Sequence, residues 1–523
     1  MWNPPIMLTM EEQKIAARTR KTRKFFVFLR EHRHELLAAD FQPTLANSYS
    51  PEPGGHEPVD AGLLALATLL QAYCHVGDRD AVALTVMDKR WQMVLDCLGA
   101  EPPPFSQGTL VNFRRRLITH HLDKTRLERT VALAEQTGGF GARPRRAALD
   151  STPLVGAGRV EETLNRLGHA LRKAVGLVAQ ALDTSTEALV EDGGLTLVGH
   201  SSLKAALDLE GGEPSARSRA LGVVLEEVGR WQRWLEPPPP LVAQTLSLPE
   251  VMETITQIIT QDTEPAPEGG PGGRRLKKHV VPDRRISIED QDMRHGRKSR
   301  AQTFNGFQEH FAVDVDSNVT REVVVRPANE PEHEAVELLA EEWEQAPGLR
   351  QRDIDLGYMA SPRMAPWAEQ GVDIIARPWP AVGPLFTKHD CTVDFAGRQV
   401  TWPGGQSVPM VPGKPAQFPA TACDACGLRA QCTKATPGQG RSVSIREDEQ
   451  CQQKLRAQLK TQRGRASLRK RTAVEHTIAH PLVPQGRRAR YQGLRKNQFD
   501  GRRHAAVSNL QVAARYEEYR LAS

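Results

Sequence analysis

Three acidic residues far apart in the chain, Asp150, Asp355 and Glu475, stand in settings that would let their carboxylates meet. Asp150 follows Ala147-Ala148-Leu149 and precedes Ser151-Thr152-Pro153. Small apolar residues leading into one aspartate read as a short buried strand delivering a carboxylate near its end, with Pro153 ending ladder pairing. Taken alone, Asp150 reads equally well as a solvated turn residue. Asp355 lies in the short strand Asp353-Ile354-Asp355-Leu356-Gly357-Tyr358, where Asp353 is a rival for the same role. Glu475 falls on a late helix. Three convergent carboxylates are hard oxygen ligands that suit Mg2+ or Mn2+. Two such ions roughly 3.5–4 Å apart can activate an attacking oxygen and stabilise a leaving one in phosphoryl displacement.

A second cluster has metal-ligand spacing. Cys423, Cys426 and Cys432 lie in a Pro/Gly-rich stretch, with Cys391 as a fourth candidate ligand and His389 or Cys451 behind it. That pattern fits a structural zinc site closing a small insertion; three reduced cysteines in a loop is the alternative. With seven cysteines in all, an odd count, a disulfide framework is not expected and a reduced, cytoplasmic setting is.

The elements that must position these residues follow from periodicity. Residues 1–140 read as a helical domain, with helices opening at Phe25–Leu29, over Ala61–Tyr73 and over Asp80–Cys97. Ser106 reads as the N-cap of a basic helix through Phe113-Arg114-Arg115-Arg116-Leu117. Residues 141–380 read as the first part of a catalytic domain, interrupted by a helical insert at about 160–262 and a linker at about 263–275. Leu164, Leu167, Leu171, Val175, Val178 and Leu182 form one apolar face of that insert. Alternation from Phe307 to Val315, a turn at Asp316-Ser317-Asn318 and a return over Val319–Arg326 make a hairpin. A helix over Glu332–Trp343, the Asp355 strand, a helix starting at Ser361-Pro362 and a strand over Gly371–Ala376 follow. Residues 381–460 form the cysteine-containing insertion, and residues 461–523 return to the catalytic domain with Glu475. This order is the connectivity of a ribonuclease-H-like fold, a mixed α/β sheet flanked by helices. In it the first and fourth strands are parallel neighbours, so Asp150 and Asp355 converge.

At 523 residues the chain exceeds one ordinary core, so two to four units are expected. Hydrophobic content of 39% and charged content of 25% are those of a soluble globular protein. No run approaches the roughly 18 apolar residues of a membrane helix, and Met1-Trp2-Asn3-Pro4-Pro5 carries no secretion signal. Between Thr461 and His504 twelve Lys or Arg face only Glu475 and Asp500, and a second basic run spans Arg18 to Lys24. Both favour a polyanionic partner.

The sequence resembles the DDE transposases of bacterial insertion sequences, in particular their eleven-eighty-two-type branch. The resemblance is carried by Asp150-Ser151-Thr152-Pro153-Leu154-Val155-Gly156-Ala157-Gly158, Asp355-Leu356-Gly357-Tyr358 and Arg471-Thr472-Ala473-Val474-Glu475. Asp292 with Lys298, Gly306-Phe307-Gln308-Glu309-His310 and Pro327-Ala328-Asn329 support it, as does the helical stretch from Asp88 to Leu117. It implies that Asp150, Asp355 and Glu475 are the catalytic, Mg2+-binding triad. It also implies double-stranded DNA as partner, at element ends and target, with the protein acting as a homodimer in the cytoplasm, on the nucleoid. In the family pattern around the glutamate, Arg471 matches, whereas Leu468 and Leu482 replace a Tyr and a Lys. Arg471, Arg487, Arg488 and Arg490, with Arg114, Arg115 and Arg116 of the N-terminal domain, are the expected DNA contacts. A catalytically silent DNA-binding descendant of a transposase is the alternative.

Overall fold

The computed structural model describes all residues except 1, 21, 23, 50–57, 139–144, 201–202, 208–213, 267–272, 300, 345–347, 471–486 and 523. Arg471 and Glu475 therefore lie outside the described residues.

The N-terminal region is helical, with Lys24–Glu31, Ala61–Cys74, Gln107–Thr119 and Leu122–Gly138 among its helices. Ser106 caps the third of these, accepting from the Thr109 N–H at 3.1 Å. A single helix over Asp80–Cys97 does not form. The first helix, Asp78–Met87, ends at Asp88, whose carboxylate accepts the Arg90 N–H at 2.8 Å and so starts a second, Lys89–Leu95. An aspartate side chain bonds nearby backbone in this way in preference to continuing a helix.

The centre of the molecule is a six-stranded mixed sheet. Its strands are β1 (Arg145–Val155), β2 (Arg294–Arg297), β3 (Thr303–Asp314), β4 (Val319–Pro327), β5 (Leu349–Ile354) and β6 (Asp373–Ile375). They lie in the order β2-β3-β1-β5-β6, with β4 also pairing with β3. β3 and β4 are the expected hairpin. β1 runs antiparallel to β3 and parallel to β5, in a register that sets Leu149 beside Ile354. The next residue on each strand is Asp150 and Asp355.

Two local expectations are corrected. β1 does not stop at Pro153, which pairs with Gln308 on β3. β5 has already ended at Ile354, so the missing N–H of Pro153 breaks no bond to β5, and a proline is accommodated there. The stretch from Asp355 to Tyr358 is not strand, because Asp355 caps a 3-10 turn, Leu356–Ala360, by accepting the Leu356 N–H at 2.8 Å.

Each sheet face has its own core. Ala148, Phe311, Val313 and Val323 join one cluster with Phe25, Trp91 and Phe113 of the N-terminal helices and Phe499 and Leu510 of the C-terminal helix, Leu494–Ala522. Ala147, Leu149, Ala312 and Val324 pack on the other face with Val336, Leu339 and Trp367. The helical insert is a separate body in which Thr163–Ala181, Pro214–Trp234 and Ser247–Asp262 enclose Leu167, Val175, Trp231 and Ile255. Buried Asp262 pairs with Arg166 of the same body and with Arg284 of the segment that leads to β2. The stretch expected as a plain linker contains a two-stranded ribbon, Thr263–Pro265 against Arg274–Leu276. A smaller unit built from short strands between Thr392 and Ser444 surrounds Val400, Trp402, Phe418 and Ile445.

Candidate active site

Asp150 and Asp355 line one cleft of about 810 Å³, which they share with Ser151, Gln308, Glu332 and the β2 residues His295, Arg297 and Lys298. Both aspartates are half-buried. Each fixes its own carboxylate locally: Asp150 Oδ1 accepts the Ser151 N–H at 2.8 Å, as Asp355 Oδ1 accepts that of Leu356. Asp353 does not compete. It is 1% exposed within β5 and accepts a hydrogen bond from the Gln351 side chain at 2.8 Å.

A third carboxylate joins the two strand ends. Glu332, the first residue of the 3-10 turn Glu332–Ala335, accepts from Ser151 Oγ at 2.5 Å and from Gln308 Nε2 at 2.7 Å through one oxygen. Its other oxygen lies over Gly357, only 1.7 Å from where a Cβ would stand, so glycine is what lets Glu332 sit against the Asp355 turn. Glu332 thus bridges the residue after Asp150 to the turn after Asp355. Behind it Tyr358 is fully buried, its hydroxyl 2.8 Å from His310 Nδ1. Burial, and then the charges of Glu332 and Asp150, push that hydroxyl well above the usual phenol range; a bond with Ser151 opposes them. Burial pushes His310 down to about 3, so its imidazole is neutral at pH 7 and serves the Tyr358 contact.

The donor set facing the cleft is carboxylate oxygen, which fits Mg2+ or Mn2+. Among the described residues, no three His, Cys, Asp or Glu side chains form a metal-holding group. For the triad this leaves two acids in place and Glu475 outside the described residues. The cysteines are different, because all four candidates are described. Cys423, Cys426 and Cys432 line one cavity of about 20 Å³, with Arg429 and Arg441 among them. Cys423 Sγ accepts the Arg441 N–H at 3.3 Å, and burial pushes the Cys391 thiol up to about 12. Burial, with the Cys423 and Cys426 charges added, also raises the Cys432 thiol, so the three sulfurs share one small unit.

The expected DNA-binding arginines divide. Arg114 is 8% exposed and holds Asp78 through two nitrogens at 2.7 Å, so its guanidinium is a structural group and not a phosphate contact. Arg115 is exposed, and Arg116 stacks on Tyr49 at 3.9 Å. Arg487 and Arg488 are exposed at the far end of β1, where Arg488 bridges to Val155. Arg490 is exposed too, its charge felt by His75 and Asp500. None of these three lines the acidic cleft. The crowd of cations near the end of the chain is also partly internal. Arg495 and Arg502 pair with buried Asp123, Arg502 also with Glu322, and Arg503 with buried Asp500.

Neither Glu332 nor Arg297 stands out in the residue pattern, and Lys298 enters it only as a supporting match to the family. Gln308 and Ser151 carried a signal, since alternation along paired strands puts them on one face. Asp292, which supports the family resemblance, plays a structural part. With Asp290 it accepts the N–H groups of Leu494 and Gly493, capping the C-terminal helix.

Among the described residues no helix is long and apolar enough to cross a membrane. No curated protein and no solved structure matches the chain. Residues 412–514 match the family model of the transposase DDE domain. The matched stretch contains Glu475 and the first part of the C-terminal helix and begins after Asp355, so it and the cleft are independent observations. A mixed sheet with a helical N-terminal region fits the ribonuclease-H-like form of that domain. Over residues 412–514 the chain is therefore similar to a transposase DDE domain.

Proposed function

We propose that this protein is an insertion-sequence transposase of the eleven-eighty-two-type branch, which binds its element's ends, cuts DNA there and joins the 3′-hydroxyls to target DNA. The observation that carries the reading is the register of β1 and β5, which puts Asp150 and Asp355 side by side on one cleft. The family match over the segment that holds Glu475 supports reading it as the third acid. Asp150, Asp355 and Glu475 would hold two Mg2+ or Mn2+ ions. When bound, such ions supply Lewis-acid activation of the attacking oxygen and charge stabilisation of the leaving one. The chain's own share is placement. Glu332 keeps the two strand ends at a fixed separation, and neutral His310 with Tyr358 supports the turn below Asp355. Arg115, Arg487 and Arg488 are exposed cations suited to the flanking duplex, which a homodimer would bring together in pairs.

The test is Asp150→Asn in the full chain, assayed on duplex DNA spanning the gene's own boundaries. Mg2+-dependent strand cutting should disappear while DNA binding persists. Retention of cutting would reject the carboxylate site, and loss of binding along with cutting would point to misfolding instead.

A further inference from the structure

One wall of the cleft carries cations and no carboxylate. It is formed by β2 and the start of β3, with His295, Arg297, Lys298, Thr303 and Asn305 facing the same space as Asp150 and Asp355. The link between the strands, Arg297-Lys298-Ser299-Arg300-Ala301-Gln302-Thr303, holds three cations and no acid. Arg297 and Lys298 are exposed, and among the described residues neither pairs with a carboxylate. Arg297 makes no side-chain hydrogen bond there either. Lys298 Nζ reaches the carbonyl oxygen of Ser151 at 3.4 Å, the residue next to Asp150.

A close backbone approach holds this wall in place. A Cβ on Gly296 would come within 2.6 Å of Ala328 Cβ and 2.7 Å of the Ala328 carbonyl oxygen, so only glycine lets β2 lie against the segment that leads to Glu332. His295 and Asn305, directly opposed across β2 and β3, are joined by a 2.6 Å hydrogen bond. The result is a trough lined by carboxylates and by two cations that pair with no acid among the described residues. Of the further acid lining it, Glu330 is paired with Arg326.

A phosphodiester approaching Asp150, Glu332 and Asp355 meets like charge. Divalent ions neutralise the acid side, but the phosphates on either side of the cut still need cations. Among the described residues, Arg115, Arg487, Arg488 and Arg490 do not line this cleft. We propose that Arg297 and Lys298 are the phosphate clamp of the active cleft, holding the backbone of the strand to be cut against the carboxylates. The inference rests on the transposase reading and assigns substrate-binding residues to its site.

The test measures binding of the full-length protein to a duplex taken from the DNA flanking the gene, in EDTA, at salt concentrations from about 50 to 200 mM, the range over which phosphate contacts express themselves. Arg297→Gln and Lys298→Gln should each make the log–log salt slope shallower by about 0.9, the value for one lost phosphate contact on duplex DNA. Lys298→Arg should restore the slope. Mg2+-dependent cutting should fall with the two glutamine variants. If Lys298→Gln also lowers the melting temperature, its contact with Ser151 is structural and Arg297→Gln decides. Wild-type protein that binds and cuts, with slopes unchanged in both variants, would overturn the clamp and leave the transposase reading standing. Wild-type protein that neither binds nor cuts would overturn both.

Discussion

Arg495, Arg502 and Arg503 on the C-terminal helix and Arg297 and Lys298 on the β2–β3 hairpin are equally basic stretches of sequence, yet they meet different partners. The first three lie where the N-terminal helices close over the sheet, and their charges are matched by Asp123, Glu322 and Asp500, all nearly inaccessible to water. The hairpin pair is exposed in the cleft that the carboxylates line, and among the described residues it pairs with none of them. Desolvated charges must be paired to be tolerated at all, so the helix cations serve the fold. Solvated ones cost little unpaired, and a cation left unpaired opposite an acid cleft is available to a ligand. The same contrast holds for acids. Asp150 and Asp355 are half-buried and line the cleft, whereas Glu309 is fully buried and, among the described residues, neither of its oxygens is hydrogen-bonded.

The sharpest way to break this comparison is Asp500→Ala. It strands buried Arg503, and denaturant unfolding should register a loss of about 3–5 kcal/mol. A loss under about 1 kcal/mol would mean that the C-terminal arginines are not structural after all.

Glu309 gives the next effect. Burial, with the Asp500 charge added, raises its carboxyl from 4.5 to about 8, so it is protonated in the folded protein at neutral pH. Its contribution is fully present below about 4.5 and is lost as pH rises through 8. Stability should therefore fall by up to about 1.4 kcal/mol per pH unit across that window. In Glu309→Gln this component should vanish, and an unchanged slope would show that Glu309 is not the group responsible.

Gly357→Ala sharpens the cleft side. The new methyl must displace Glu332, at a cost of about 1–3 kcal/mol for overpacking. Cutting should fall further than stability does, since Asp150 and Asp355 lose their common brace. Equal stability with full cutting would show that Glu332 does not fix the site.

The smallest expected change is the stability of Arg297→Gln, within about 0.5 kcal/mol of wild type. A larger loss in a thermal melt would move Arg297 into the class of the helix arginines.

Much of the catalytic framework is legible in the sequence. The hairpin of β3 and β4 follows from two-residue alternation ending at Asp316-Ser317-Asn318, a purely local signal. The pairing of Asp150 with Asp355 follows from the order of elements, because a parallel neighbour in such a sheet admits few connections. Asp88 hides its helix break because a capping aspartate looks like any polar helix residue until its backbone turns. Pro153 misleads in the opposite sense, since its tolerance in β1 depends on where β5 ends. Arg114 looks like Arg115 and Arg116 in a run of three, and only helix packing turns it onto Asp78.

The sequence by itself determined the elements and their order, because hydrophobic period, caps and turns act over a few residues. It also determined which acids carry strand-end settings. Only the tertiary structure decided which charges are buried in pairs and which face the cleft. Glu332 reaches Ser151 across 181 positions of chain, and Arg502 reaches Glu322 across 180. Whether a charge serves stability or a ligand depends on its solvent exposure and partners, and both are properties of the packed chain.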